Sequence, residues 1–105
     1  MNPEKGRASG LFSFVLLVAV ALPAAADDAS AARSLAATCA NCHGTDGRAL
    51  GADVAPLAGR SKDEIVARMK EFRDGSRPAT VMHQLARGYT DRQVEALAAY
   101  FAART

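Results

Sequence analysis

The sequence Cys39-Ala40-Asn41-Cys42-His43 contains the only two cysteines of the chain, three positions apart, with a histidine directly after the second. This arrangement is typical of covalent haem attachment. Residues i and i+3 of a helical turn point the same way, so both thiols can reach the two vinyl groups of one porphyrin. His43 would then bind the iron on one face of the ring. The motif therefore predicts one covalently attached haem c in the protein interior.

Three other kinds of site also use such a cysteine pair. A redox-active dithiol of the thioredoxin type needs a βαβ context, and the sequence shows no alternation of strand and helix patterns. A structural zinc site usually has four Cys or His ligands, and His43 lies too close to Cys42 for an easy four-ligand cage with Cys39 and His83. A simple disulfide needs no adjacent histidine, although an exported protein can form one. The motif favours haem over all three alternatives.

The N-terminal residues 1–26 have the three-part plan of a secretory signal peptide. A basic start precedes an apolar run over residues 11–22, and three alanines at positions 24–26 form a small-residue cleavage site. The apolar run is shorter than the ~20 residues that a spanning helix needs. We therefore expect cleavage, no stable membrane insertion, and a single domain over residues 27–105 in the periplasm. An uncleaved membrane anchor is the alternative.

The mature chain is small enough to need help in building a core. Domains of this size are marginal without a disulfide, a metal or a cofactor, and the aromatic side chains after the signal peptide are few: Phe72, Tyr89, Tyr100 and Phe101. A buried haem would supply the missing apolar mass. The whole chain has 13 Lys and Arg against 11 Asp and Glu. This near balance gives no indication of a nucleic-acid-binding surface.

The remaining sequence predicts an all-α domain of three or four short helices joined by loops. An Ala-rich helix is expected from residue 29 to about residue 39, because its apolar residues share one face. Glycines and a proline are dense over residues 44–59, which indicates a loop. Ser61 to Glu64 form a capping box that begins a second helix. Gly75 and Pro78 end that helix, whose predicted buried stripe comprises Ile65, Val66, Met69 and Phe72.

Two further helices are expected near the C-terminus. A short helix is predicted within residues 80–87, with Gly88 as its stop signal. A second capping box, Thr90 to Gln93, begins the last helix. Four apolar residues share one face of that helix: Val94, Leu97, Ala98 and Phe101.

A haem iron that transfers electrons usually has both axial positions filled, so a second ligand is expected opposite His43. The mature chain offers Met69, Met82 and His83. Met69 lies on the apolar stripe of the second helix, which favours a packing role. Met82 lies in an irregular stretch before the last helix, where the chain can fold over the opposite haem face. Adjacent helical side chains point about 100° apart, so Met82 and His83 cannot both face the iron. The pattern favours Met82, with His83, Met69 and an open site as alternatives.

These features together resemble the class I cytochrome c family. The resemblance covers residues 27–105 and rests on the exported Cys-x-x-Cys-His motif, a loop containing Pro-Leu, a later methionine and an amphipathic C-terminal helix. The stretch MKEFRDGSRPATVM at residues 69–82, continuing into ARGYTD at 86–91, is similar to the cytochrome subunit of flavocytochrome c sulfide dehydrogenases. It is also similar to single domains of periplasmic dihaem cytochromes. The resemblance implies a small fold of three to four helices wrapped around one haem.

The resemblance also implies roles for particular residues. Cys39 and Cys42 would carry the thioether bonds to haem c. His43 would be the proximal iron ligand and Met82 the distal one. The carbonyl oxygen of Pro56 would accept a hydrogen bond from His43 and so fix the orientation of its ring. An ordinary turn proline is the alternative interpretation of Pro56.

Two contacts outside the ligand set follow from the same resemblance. The first and last helices would cross, so that Ala32 and Ala36 meet Leu97 and Phe101. Arg77 would neutralise a haem propionate, with a solvated loop arginine as the alternative.

The function that the resemblance implies is outer-sphere transfer of one electron. A six-coordinate iron leaves no place for a substrate, so the protein would not be an enzyme by itself. The first interpretation is a cytochrome subunit that accepts electrons from a sulfide-oxidising flavoprotein. The second is a free diffusing carrier for an oxidase or another dehydrogenase. A weaker third interpretation is a ligand-binding or peroxidatic haem protein with an open distal site.

Overall fold

The computed structural model describes residues 24–105. The predicted signal peptide over residues 1–26 lies outside this range except for its last three residues. The described part contains five α-helices and one 3-10 turn, and no strand. The elements are α1 (Ala24–Ala37), α2 (Ala40–His43), the 3-10 turn (Thr45–Gly47), α3 (Lys62–Asp74), α4 (Met82–Ala86) and α5 (Asp91–Ala102). The predicted all-α fold is confirmed.

The cysteine motif forms a helical element of its own, which the sequence did not predict. The first helix ends at Ala37, and Thr38 and Cys39 make a tight turn in which the Cys39 N–H donates to the Ala36 carbonyl at 3.1 Å. The Thr38 hydroxyl donates to the Leu35 carbonyl at 2.8 Å. This turn separates α1 from α2, so the motif occupies a short helical turn outside the longer helix. The structure therefore has one more short helix than the three or four expected.

The caps of α3 show how side chains compete at a helix start. The Glu64 N–H donates to the Ser61 hydroxyl at 3.2 Å, as the capping box requires. The Glu64 carboxylate, however, accepts hydrogen bonds from Arg60 at 3.0 Å and from Arg68 at 2.7 Å. Only half of the predicted box therefore forms, because a charged donor outcompetes the neutral backbone N–H. The helix ends at the left-handed Gly75, as predicted.

The last helix has the complete capping box that the sequence predicted. The Gln93 N–H donates to the Thr90 hydroxyl at 3.2 Å, and the Thr90 N–H donates to the Gln93 side chain at 2.9 Å. Two of the unpaired amides at the helix start are thereby satisfied. The cap fixes where α5 begins relative to Tyr89 and α4.

The core lies where α5 is covered by α1 on one side and by α3 on the other. Its buried cluster comprises Ala36, Ile65, Leu97, Ala98 and Phe101. The expected packing of the first helix on the last therefore holds for Ala36. Ala32 is half-buried and lines a groove between α1 and α5 instead of joining the buried cluster.

The short helix α4 packs on α3 and carries the buried Ala86. It is five residues long and lies within the predicted range of residues 80–87. Within residues 24–105, no helix has the length and apolar character needed to cross a membrane.

Candidate functional site

The two cysteines and the histidine share one helical turn. The His43 N–H donates to the Cys39 carbonyl at 2.9 Å, and the Cys42 N–H approaches the same oxygen at 3.3 Å. Cys39 and Cys42 are therefore the i and i+3 residues of a turn, which is the relation the sequence predicted. Cys39 is half-buried and packs against the core cluster, whereas Cys42 is exposed, and neither is in a disulfide.

The environment of Cys39 does not resemble that of a reactive dithiol. Burial raises the pKa of the Cys39 thiol, and the hydrogen bond with Thr38 offsets only part of this rise. Reactive cysteines have a lowered pKa because the thiolate is the nucleophile. The direction of this shift counts against the thioredoxin-type alternative.

A metal cage of protein ligands is also unsupported in the described part of the chain. No group of three or more His, Cys, Asp or Glu side chains within residues 24–105 has the geometry to hold a metal ion. His83 is the second residue of α4, on a different element from the cysteine motif. The four candidate zinc ligands therefore do not assemble.

The imidazole of His43 is oriented by one short hydrogen bond. Its Nδ1 lies 2.7 Å from the carbonyl oxygen of Ala55. A carbonyl oxygen only accepts, so Nδ1 carries the proton and donates. The neutral ring then has its lone pair on Nε2, which is the atom left to bind a metal. The partner of Nδ1 therefore sets both the tautomer and the direction of the ring.

The acceptor for His43 is Ala55, and the prediction of Pro56 was wrong. The Pro56 carbonyl oxygen accepts from the Arg60 Nε at 2.5 Å instead. A residue before proline is held in an extended conformation, and successive groups of an extended chain face opposite sides. A shift of one residue therefore turns the acceptor away from His43 and towards the start of α3. Sequence reasoning missed Ala55 because every residue has a carbonyl oxygen, so its side chain gave no signal.

The loop that presents Ala55 is closed by a single carbonyl group. The Gly47 oxygen accepts from the Leu57 N–H at 2.9 Å and from the Ala58 N–H at 3.1 Å. Gly47 has φ +76°, and a Cβ there would lie 2.8 Å from a ring carbon of Phe101. Only glycine fits a position with both this conformation and this close approach.

A second glycine is required directly after the histidine. Gly44 has φ +82°, and a Cβ on it would lie 1.9 Å from the Arg48 carbonyl oxygen. No side chain can be accommodated at that distance, because the neighbouring atom belongs to the backbone. Gly44 therefore lets the chain fold back tightly on itself immediately after His43.

The candidate distal ligands lie on other elements. Met82 is the first residue of α4 and is half-buried, as is His83 beside it. Met69 lies on α3 and packs against the core cluster. The structure therefore gives Met69 the packing role that its position on the apolar stripe predicted.

Arg77, expected at a haem propionate or in solvent, has protein partners in the structure. Its Nε donates to the Glu71 carboxylate at 2.6 Å, and its guanidinium carbon lies 5.9 Å from the centre of the Phe72 ring. The side chain is half-buried between these two residues of α3. It is therefore a paired arginine that joins the loop after α3 to that helix.

Large apolar side chains beside the candidate distal ligand Met82 are exposed. Val81 and Leu85, on either side of Met82 in the sequence, are 53% and 51% exposed. Folded proteins seldom expose large apolar groups near one another without a partner. These residues fit a bulky apolar prosthetic group, which also suits the paired thiols and the free Nε2.

Comparison with known proteins agrees with these features. Residues 26–101, which contain the cysteine motif and most of α1 to α5, match the family model described as Cytochrome C oxidase, cbb3-type, subunit III. The cytochrome subunit of sulfide dehydrogenase from Chlorobaculum tepidum is 41% identical over 68 residues, which cover 64% of this chain and 60% of that protein. Cytochrome c-554(548) from Halomonas halodenitrificans is 35% identical over 82 residues, or 75% of this chain and 99% of that protein.

A further relative has a name that describes its redox role. The thiosulfate dehydrogenase electron acceptor from Stutzerimonas stutzeri is 40% identical over 67 residues, which cover 61% of this chain and 31% of that protein. The chain thus spans less than two thirds of this relative and of the sulfide dehydrogenase subunit, and nearly all of cytochrome c-554(548). With the family-model match, these similarities confirm the resemblance that the sequence suggested. The chain belongs to the cytochrome c domain family, whose cofactor is covalent haem c and whose function is electron transfer.

Proposed function

We propose that this protein transfers single electrons in the periplasm through one haem c, held by Cys39, Cys42, His43 and Met82. The bound group supplies an iron that alternates between the ferric and ferrous states. The observation that carries the proposal is the α2 turn, which brings both thiols and the oriented imidazole onto one short element. Two thioether bonds would fix the ring covalently, so that the redox group is retained in both oxidation states.

The proposed role of His43 is that of the proximal ligand. Its Nδ1 proton is held by the Ala55 carbonyl at 2.7 Å, so Nε2 is presented in one direction. Donation from Nδ1 also makes Nε2 a more basic ligand. The chain thereby fixes the ligand before electron transfer, and little rearrangement of the ring is required between oxidation states.

The proposed role of Met82 is that of the distal ligand. A thioether favours the ferrous state and so raises the reduction potential. The half-buried position of Met82 supports this role, because the large apolar side chains of Val81 just before it and Leu85 one turn after it are exposed. With His43 and Met82 both holding the iron, no ligand position would be left for a substrate, and the protein would act as a carrier or an electron-accepting subunit.

Three single substitutions test the ligand set. In the haem-loaded protein, Met82→Ala is expected to lower the reduction potential and remove the methionine-to-ferric-iron absorption band. Met69→Ala and His83→Ala are matched controls that should keep the band, with Met69→Ala losing stability because Met69 packs on the core. An unchanged spectrum in Met82→Ala would refute its role, and loss of the band in His83→Ala would not be explained by our assignment.

The proposed electron donor is a flavoprotein that oxidises sulfide. Support comes from the names of two relatives, a cytochrome subunit of sulfide dehydrogenase and an electron acceptor of thiosulfate dehydrogenase. One name places a cytochrome in a sulfide dehydrogenase, and the other describes a protein that accepts electrons from a thiosulfate dehydrogenase. By analogy, this chain would receive one electron at a time from its partner and pass it to a further acceptor.

A free carrier is the second candidate function. The chain spans 99% of cytochrome c-554(548), and that name mentions no dehydrogenase. In this case the protein would diffuse between a reductase and an oxidase without a permanent partner. Both candidates require the periplasmic domain over residues 27–105, exported by a cleaved signal peptide over residues 1–26.

Purification from native cells distinguishes the two candidates. The first predicts that tagged full-length protein co-purifies with a flavin-containing polypeptide, and that sulfide reduces the haem in this complex. The second predicts a haem-loaded protein that purifies without flavin. Added sulfide should not rapidly reduce the haem of this protein. Rapid carbon monoxide binding by the ferrous protein would contradict both, because it would indicate an open distal site.

A further inference from the structure

The C-terminal end of α5 is attached to the turn that follows His43. The Tyr100 hydroxyl donates to the Asp46 carboxylate at 2.5 Å, although the two residues are 54 positions apart. Asp46 has φ +55° and is the only non-glycine residue with positive φ in the described range. A residue kept in this sparsely populated conformation must be held there by its surroundings. The hydrogen bond from Tyr100, at 2.5 Å, is shorter than the 3.6 Å contact between Asp46 and Arg48.

Two arginines reinforce the pair. The Arg104 guanidinium lies 4.0 Å from the centre of the Tyr100 ring, and its Nε donates to the Tyr100 carbonyl at 3.2 Å. Arg48 lies 3.6 Å from the Asp46 carboxylate and donates to the Thr105 carbonyl at 2.9 Å. The end of the chain is therefore attached to this turn at two points, Asp46 and Arg48.

The charge state of the pair suits a strong bond. The hydrogen bond from Tyr100, helped by nearby arginines, lowers the pKa of Asp46, and the same bond raises the pKa of Tyr100. At neutral pH the carboxylate is therefore ionised and the phenol keeps its proton. An O–H donor on an ionised acceptor makes a short, charge-assisted hydrogen bond.

Hydrogen bonds and short stretches of chain together connect this pair to the imidazole of His43. Gly47 follows Asp46 directly, and its carbonyl oxygen holds the Leu57 and Ala58 amides. Two residues before Leu57, the Ala55 carbonyl accepts the Nδ1 proton of His43 at 2.7 Å. The loop carrying this acceptor is thus anchored to the residue beside Asp46.

The histidine is attached to the same turn from its other side. His43 precedes Asp46 by three residues, and Gly44 between them folds the chain back against Arg48. Movement of Asp46 would therefore displace both the donor, through the chain, and its acceptor, through Gly47. The donor and its acceptor are thus both joined to this turn, by separate routes.

We propose that Tyr100 and Asp46 are positioning residues for His43, and that their hydrogen bond sets the strength of the bond between the His43 imidazole and Ala55. The inference rests on the proposed role of His43 as an axial ligand. Loss of the pair loosens the turn and lengthens the Nδ1 hydrogen bond. Nε2 then becomes a less basic ligand, so the ferric state loses support and the reduction potential rises.

The test compares Tyr100→Phe with Tyr89→Phe in the full-length, haem-loaded protein. Tyr89 is a matched control because its hydroxyl also bonds a distant residue, Thr38, at 3.1 Å, and its ring also packs on the core. For Tyr100→Phe we expect a higher reduction potential and solvent exchange of the His43 Nδ1 proton that is at least threefold faster by NMR. For Tyr89→Phe we expect lower thermal stability without either change.

Two substitutions of Asp46 provide a second, independent comparison if Tyr100→Phe fails to fold. Asp46→Gly removes the carboxylate, and glycine adopts φ +55° without strain. Asp46→Asn keeps an oxygen acceptor for Tyr100. We expect Asp46→Gly to reproduce the shift in potential and the faster exchange, and Asp46→Asn, whose neutral oxygen still accepts from Tyr100, to show both changes to a smaller extent. Asp46→Gly with Tyr100→Phe should have no larger effect than either alone, because both remove one interaction.

The overturning result is a loss of stability in Tyr100→Phe and Asp46→Gly with unchanged potential and unchanged exchange of the Nδ1 proton. The pair would then stabilise the fold without acting on the ligand. Failure of the proposed ligand set is recognised separately, because His43→Gly would then leave the haem absorption spectrum unchanged.

Discussion

The close approach of Gly47 to the core makes a quantitative prediction about three glycines. A Cβ at Gly47 would lie 2.8 Å from both the Phe101 ring and the Leu57 side chain, and its φ is +76°. Gly75 has a similar φ of +84° but nothing within 4 Å of such a Cβ. Gly51 has open space and no positive φ. Substitution by alanine therefore adds strain and overlap at the first site, strain alone at the second, and neither at the third.

The expected costs follow from these two terms. Holding an alanine in the left-handed region costs about 1–2 kcal/mol, and forcing extra atoms into a packed site adds about 1–3 kcal/mol. Gly47→Ala should therefore lower the free energy of unfolding by about 2–5 kcal/mol, and Gly75→Ala by about 1–2 kcal/mol. Gly51→Ala should change it by less than about 1 kcal/mol. Since small domains have a net stability of roughly 5–15 kcal/mol, Gly47→Ala should remove a large part of the free energy of unfolding.

Urea unfolding of the haem-loaded variants, followed by far-UV circular dichroism, measures all three free energies on one scale. The order of destabilisation should be Gly47→Ala, then Gly75→Ala, then Gly51→Ala. Equal costs at Gly47 and Gly75 would refute the reasoning, because they would mean that the turn moves away from Phe101 freely. The carbonyl of Gly47 could not then hold the loop that carries Ala55.

Two further predictions concern the stability of the core and the loss of stability at acidic pH. Leu97→Ala, at a side chain only 4% exposed, should cost about 2–5 kcal/mol. The matched control Leu50→Ala, at a side chain 97% exposed, should cost less than about 0.5 kcal/mol, and equal costs in urea unfolding would contradict the core assignment. The pKa of Asp46 lies below its ordinary 3.8, so its contribution is complete above that pH and lost as the pH falls through the lowered value. As the pH is lowered from about 5 to about 2, the thermal unfolding temperature should therefore fall less steeply in Asp46→Asn than in the wild type. Parallel plots of unfolding temperature against pH would argue against the ionised pair.

Local patterns in the sequence predicted those features that depend on neighbouring residues. The spacing of Cys39 and Cys42 indicated one helical turn, and the turn is present. The complete cap at Thr90 was predicted from residues within one turn of each other. Such features need no knowledge of the rest of the fold, because every interacting atom is set by local backbone geometry.

Features that depend on distant partners were missed or only partly predicted. The cap at Ser61 forms by half because Arg60 and Arg68 take the Glu64 carboxylate, a competition that the capping pattern does not describe. The acceptor for His43 is one residue away from the predicted Pro56, since Pro56 faces Arg60.

The pairing of Asp46 with Tyr100 left no mark in either local sequence. The two residues are 54 positions apart, and the bond forms only because α5 packs beside the turn after His43. An aspartate in a Gly-rich turn and a tyrosine in an amphipathic helix are both ordinary on their own. Residues that position a ligand, such as Asp46 and Tyr100, are therefore harder to predict than the ligand His43, which the cysteine motif identifies directly.

Covalent attachment of haem to Cys39 and Cys42 is tested most directly by the mass and the solvent stability of the pigment. The full-length gene is expressed in a host that attaches haem to such motifs, and the product is extracted with acidified organic solvent. We predict that the pigment stays with the polypeptide, that the mature chain begins at Asp27 and carries one haem, and that the Cys39→Ser, Cys42→Ser double variant carries none. A colourless wild-type product, or pigment that leaves with the solvent, would contradict a covalent haem at these cysteines.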